Sequence, residues 1–161
     1  KEAIGIYEVE TDSTNRKDEE WYINTNESYA FDSGKVTRSW GTATPKQLND
    51  EDAKDDDGNN LLDQVIIDGL KTQKKIIVKQ RASGLLNPTD WYVIKATEVE
   101  SYNVPENITN FRTEVRTTSN EMETKIDACN SVDELKSLYE YTEQEDGSIT
   151  RPLGEFPVLE A

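Results

Sequence analysis

The sequence predicts an α+β protein: a small N-terminal antiparallel β-sheet, an acidic linker, and a C-terminal helical hairpin module with short additional helices. Three observations predict it. β-Branched and aromatic residues alternate with turn residues up to residue 41. Carboxylates then crowd together at Asp50, Glu51, Asp52, Asp55, Asp56 and Asp57, with only Lys54 opposing them. Farther on, Ile108, Phe111, Val115, Met122, Ile126 and Cys129 recur at the three- and four-residue spacing of one helix face. The boundaries that follow are 1–41 for the β domain, 42–60 for the linker, 61–142 for the helical module, and 143–161 for a hairpin and Pro-containing tail.

In chain order, Ile4 to Val9 reads as a strand, Glu20 to Ile23 as a second, and Ser28–Phe31 with Lys35–Trp40 as a hairpin closed by Asp32-Ser33-Gly34. So small a meander is expected to lean on another element, on residues upstream of Lys1, or on a partner subunit. We expect such upstream residues, since the chain opens at Lys1-Glu2 and passes almost at once into the first strand.

The linker is expected from self-repulsion and a lack of apolar residues. A calcium-binding loop over Asp55-Asp56-Asp57-Gly58 is the sharper alternative. With Gly58 at its sixth position, however, the first and twelfth fall on Ala53 and Gln64, so both required carboxylates are missing. Leu61 to Leu86 reads as one long helix with Leu62, Ile66, Leu70 and Ile77 on one side, Val65, Ile76 and Leu85 beside them, and Gly69 as its weak point. Lys71, Lys74, Lys75 and Lys79 form its basic face. That face is either a binding patch for an acidic partner or a solvated surface screening the linker.

Gly84 and Pro88 bracket the end of that helix, and Thr89-Asp90 can cap a short helix over Trp91 to Glu98. Pro105 suits the first turn of the next helix, which carries the long stripe, with Thr118 alone filling the gap between Val115 and Met122. Trp91 and Phe111 are expected to anchor the meeting of these two helices, with Arg112 and Arg116 one turn apart along its flank. The arginines either face a partner or pair with Asp90, Glu114 or Glu121. Ser131-Val132-Asp133-Glu134 has the form of a capping box and starts a fourth helix. Tyr139–Thr142 and Ser148–Thr150 suit a hairpin. The tail from Arg151 to Pro157, with Phe156, is either disordered or an extended strap.

Composition narrows the function. Leu, Ile, Val and Phe make up about a fifth of the chain, so any core must be concentrated in a few segments. A formal charge of −15 opposes binding to nucleic acid or to an anionic membrane, and leaves basic or polar proteins as the expected partners. No apolar run is long enough to span a bilayer. With no histidine and one cysteine, nucleophile–histidine catalysis and the usual zinc ligand sets are excluded, and Cys129 reads as a small buried hydrophobe. Nucleotide-binding glycine motifs are missing. The expectation is a non-enzymatic chain without metal or cofactor. Carboxylate-based hydrolysis of a glycan is the remote exception, because 33 acidic residues place some pair at a suitable distance by accident.

The run LLNPTDWYVIKATE from Leu85 to Glu98, the Val104-Pro105 step, and FRTEVRTTSNEMETKID from Phe111 to Asp127 resemble the C-terminal region of tail-associated proteins of tailed bacteriophages. These are usually described as tail or tail-fibre assembly chaperones. TRPLGEFP from Thr150 to Pro157 is similar to the versions carried by marine and cyanobacterial phages, and the β-rich start looks like the N-terminal part of such proteins. Phe111 departs from the family's more frequent tyrosine, which leaves no hydroxyl there. The resemblance implies binding of tail or fibre subunits during assembly in the host cytoplasm. The alternative is a structural part retained in the virion. Homo-oligomerisation is open. On this reading the partner-binding residues are Lys71, Lys74, Lys75, Lys79, Arg112, Arg116, Arg151 and Phe156.

Overall fold

A computed structural model describes residues 5–61 and 65–160. The chain divides into two compact units, Lys1–Leu48 and Asn49–Ala161. The first carries small sheets and the second the helices, which is the α+β class read from the sequence.

In the first unit, β3 (Ser28–Asp32) and β4 (Lys35–Ser39) form the expected hairpin, with Asp32 opposite Lys35. Ser33 and Gly34 both take positive φ, the conformation that lets a two-residue turn follow the right-handed twist of its strands. The meander is not wholly antiparallel. β1 (Val9–Thr11) lies parallel to the other side of β4, giving the order β1-β4-β3. It also starts later than the expected Ile4, which falls outside the described residues. β2 (Tyr22–Ile23) stays out of this sheet and pairs with β5 (Thr44–Pro45). Around that pair Trp21, Tyr22, Trp40 and Ala43 are buried. Lys17 sits over the Tyr22 ring, and Arg16 and Arg38 lie over Trp40. An aromatic core edged by cations compensates for the shortage of aliphatic residues.

The second unit begins inside what the sequence reads as linker. β6 (Glu51–Asp52) pairs with β7 (Ile66–Ile67), and Ala53 between the two arms is buried, its N–H donating to the Val65 carbonyl. Several of the carboxylates act as hydrogen-bond acceptors for local structure. Asp55 accepts the N–H groups of Asp57 and Asn59 and so builds the turn. Asp50 accepts from the Gly69 N–H at 2.8 Å and the Thr72 hydroxyl at 2.9 Å, satisfying donors at a helix N-terminus. Those bonds, the Gly69 N–H foremost, hold the Asp50 carboxyl below the ordinary aspartate range. Charge repulsion along the sequence is therefore outweighed by specific capping.

The long helix expected from Leu61 is accordingly shorter: α1 spans Leu70–Leu86, with Gly69 at its N-cap. Leu62 to Gln64 lie outside the described residues, and Ile66 belongs to a strand. The buried face of α1 is Leu70, Lys74, Val78 and Ala82: Leu70 is buried as read from the sequence, whereas Ile76 and Ile77 are exposed. The helix runs through Gly84, and a 3-10 turn over Asn87–Thr89 leads directly into α2 (Asp90–Glu98). Thr89 does not cap α2 with its side chain; its hydroxyl donates to the Leu86 carbonyl.

α3 (Glu106–Ala128) packs along α1. Ile108, Phe111, Val115, Met122 and Ile126 are buried as predicted, and Cys129 with them, but Ser119 rather than Thr118 occupies the gap. α4 (Val132–Ser137) adds Val132 and Leu135 to the core. Ser131 accepts the Glu134 N–H at 3.1 Å, while the Glu134 carboxylate accepts the Asn130 N–H, one residue before the cap. A hairpin of β8 (Thr142–Glu143) and β9 (Ile149–Thr150) follows. The tail then returns as a strap. Leu153 donates its N–H to the Leu138 carbonyl, Lys125 donates to the carbonyls of Pro152 and Leu153, and Leu153 and Phe156 are buried. The turn needs Gly154, whose φ is +94°.

Candidate protein-binding surface

The residues nominated from sequence fall into three groups. Those on the basic face of α1 differ in burial, from buried Lys74 to exposed Lys79, and three of them bond to α3. Lys75 pairs with the Asp127 carboxylate at 2.8 Å and Lys71 donates to the Asp127 carbonyl at 2.9 Å, both reaching the end of α3. Lys79 pairs with Glu123 at 3.2 Å. Lys74 is buried with its ammonium 4.9 Å from the centre of the Tyr139 ring, so its aliphatic stem fills a core position. These lysines join α1 to its neighbours, and a free cationic patch is not what they form.

The second group surrounds the start of α2. Arg112 is buried, with Nη1 donating to the Thr89 hydroxyl at 2.6 Å and the Leu86 carbonyl at 3.0 Å, and pairing with the Asp90 carboxylate at 2.8 Å. One guanidinium thus fixes the end of α1, the intervening turn and the first residue of α2. This is the pairing with Asp90 weighed from the sequence, and it removes Arg112 from the partner-binding set. Arg116 is exposed and donates to the Arg112 carbonyl at 3.2 Å in the helix behind it.

The third group is the strap. Arg151 pairs with Glu155 at 2.7 Å, donates to the Gly154 carbonyl, and lies against the rings of Tyr139 and Tyr141. Phe156 is buried, with Arg81 beside its ring. Tyr141 donates to Glu155, and that bond foremost raises the phenol above its ordinary range. A cavity of about 70 Å³ lined by Ile77, Val78, Met122, Tyr139, Leu153 and Phe156 marks the seam. Both residues serve the closure of the module itself.

What stands exposed is α2. None of its residues is buried, although it contains the consecutive apolar residues Trp91, Tyr92, Val93 and Ile94. Trp91 is 49% exposed and does not form a buried anchor with Phe111, which is itself buried. The reason is angular: four successive residues span about 300° of a helix circumference, so no single face can bury them all. Phe111 belongs to the α3 stripe and meets the core of α1 and α3. On α2, Trp91, Ile94, Lys95 and Glu98 share one side. The Lys95 ammonium lies 5.7 Å from the Trp91 ring centre and 4.2 Å from that of Tyr102, and Val93, Ile94 and Val99 are exposed nearby in sequence. Exposed acids follow at Glu98, Glu100 and Glu106. Exposed apolar side chains on α2, with exposed acids close in sequence, suit a partner segment carrying apolar and basic side chains.

Cys129 is buried, its thiol 3.4 Å from the Lys125 carbonyl and raised in pKa first by burial, the opposite of an activated thiolate. Among the described residues, no group of three or more Cys, Asp or Glu side chains is placed to hold a metal ion, and no helix is long and apolar enough to cross a membrane. Compared with known proteins, the chain matches no protein-family model, no curated protein and no solved structure.

Proposed function

We propose that this chain is a non-enzymatic protein-binding component of bacteriophage tail or tail-fibre assembly, engaging a tail or fibre subunit through α2 in the host cytoplasm. The observation that carries the reading is the exposure of Trp91, Val93 and Ile94 on a helix otherwise held by the Arg112 junction. A tryptophan and branched aliphatics on a short, well-anchored helix supply the kind of apolar contact that concentrates binding energy. The family resemblance lies in the same stretch and supplies the phage context. Arg112 acts as a positioning residue, since it sets the direction in which α2 leaves α1.

The test is to express the full chain, wild type and Ile94→Asp, with the tail and tail-fibre subunits of its phage, and to quantify copurification. The reading expects a subunit captured by wild type and lost by the variant at unchanged helical content. Equal capture by both would contradict α2 as the contact. Proteomics of purified particles then separates roles: absence of the chain fits a transient assembly factor, and near-stoichiometric presence fits a retained structural part.

A further inference from the structure

The strap lies in a groove built by three helices of the second unit. Ile77, Val78 and Arg81 come from α1, Met122 and Lys125 from α3, and Leu138 and Tyr139 from the residues that follow α4. Much of what the groove bonds is backbone. Lys125 donates to the carbonyls of Pro152 at 2.8 Å and Leu153 at 3.2 Å, and the Leu138 carbonyl accepts the Leu153 N–H at 2.9 Å. Leu153 and Phe156, three residues apart, are buried, while Glu155 stays exposed with Arg81 3.9 Å away. Main-chain bonds combined with seats for two apolar side chains are the means by which a groove holds an extended peptide. This peptide is joined to its groove by the β8–β9 hairpin, exposed from end to end and closed by two residue pairs. An isolated hairpin is marginal in water, and the stretch from Thr142 to Thr150, once opened, reaches roughly 30 Å.

We propose that the groove is a peptide site which the chain fills with its own strap, and that two copies exchange straps across it, with the opened hairpins as hinges. The segment seated in the groove identifies the occupant. A second copy carries the same Arg151–Pro157 sequence, so each contact of the closed form is restored between copies. These are the Lys125 and Leu138 bonds, the turn at Gly154 with its φ of +94°, and the approach of Glu155 to Arg81. Arg151, 2.7 Å from Glu155, travels with the strap, whereas Tyr141, whose hydroxyl donates to Glu155 at 2.7 Å, stays with the groove. An unrelated segment would have to supply a glycine turn between two apolar side chains and a carboxylate opposite Arg81. Because both forms make the same contacts, the tether sets the balance between them. Self-closure is favoured by an effective concentration on the order of millimolar for a short flexible linker, and exchange gains ground as the chain approaches it.

Contacts between differently labelled copies test the exchange. Met122 is the only methionine of the chain, so its methyl signal is unambiguous. The full chain labelled only at the methionine methyl is mixed with the full chain labelled only at leucine methyls, at about 1 mM. The expected result is a nuclear Overhauser contact between Met122 and Leu153, which line one cavity and carry the two labels together only after exchange. Gly147 turns the hairpin at φ +79°, so Gly147→Val strains the closed hinge and should strengthen dimerisation, read by sedimentation velocity, at least about fivefold. Should Gly147→Val fail to fold, the wild-type mixture decides. A wild-type mixture without the Met122–Leu153 contact would overturn the inference, as would a dimer that lacks it or a folded Gly147→Val that associates no more than wild type.

Discussion

α2 and α3 are separated by only a short connection, yet they solve opposite problems. α3 is the more polar helix, and it buries a continuous stripe in which Val115 and Ile126 are wholly inaccessible. α2 is the more apolar and buries nothing. The difference teaches that the phase of apolar residues decides burial, whereas their density does not. Spacing of three and four keeps one face of α3 against α1, while four apolar residues in a row on α2 wind most of the way around the helix.

That contrast breaks or sharpens under mutation, and the largest effect belongs to α3. Phe111→Ala should destabilise the helical unit by about 3–5 kcal/mol, the usual loss for a buried aromatic ring, measured by urea unfolding. A change below about 1 kcal/mol would mean that the α1–α3 core is packed differently. Next comes the junction between the two helices. Arg112→Ala leaves the buried Thr89 hydroxyl and the Leu86 carbonyl without their guanidinium donor, and should cost about 1–3 kcal/mol, whereas Arg116→Ala should stay within about 0.5 kcal/mol. Equal effects would show that Arg112 does not organise the start of α2.

Smaller again is the pH response of α1. The folded-state pKa of Asp50 is depressed, so its contribution is present above the unfolded value and is lost as pH falls through about 4 and below. Amide exchange at Gly69 and in the first turn of α1 should accelerate there in the wild type, and Asp50→Asn should already show faster exchange at neutral pH. Protection that is independent of both would remove Asp50 as the cap. Lys79→Ala should be nearly silent, within about 1 kcal/mol, because its pair with Glu123 lies on the surface.

The parts of the fold that the sequence displays are those with a local cause. The Ser33-Gly34 turn, the α3 stripe, the Ser131 cap and the Gly147 hairpin each follow from residues within a few positions of one another. What was hidden depends on distant partners. Nothing local distinguishes an aspartate that repels its neighbours from one that caps Gly69, nineteen residues away. Lys74 looks like surface until Tyr139 is placed against it. The same limit governs the site. Arg112 is legible as a candidate, but its role depends on Thr89 and Leu86 being brought to it, and the strap residues Arg151 and Phe156 depend on a return of the chain onto α3 and α4. The exposure of Trp91 was signalled by the unbroken run Trp91 to Ile94, a pattern that fits neither one helix face nor an alternating strand.

The melting temperature of Trp91→Ala, set beside that of Phe111→Ala under one buffer, tests most directly whether α2 is a surface for a partner or part of the core. The account predicts a change of no more than about 1 kcal/mol for Trp91→Ala, as for an exposed substitution, against the large loss for Phe111→Ala. Comparable losses for the two variants would place Trp91 in the core and contradict the account.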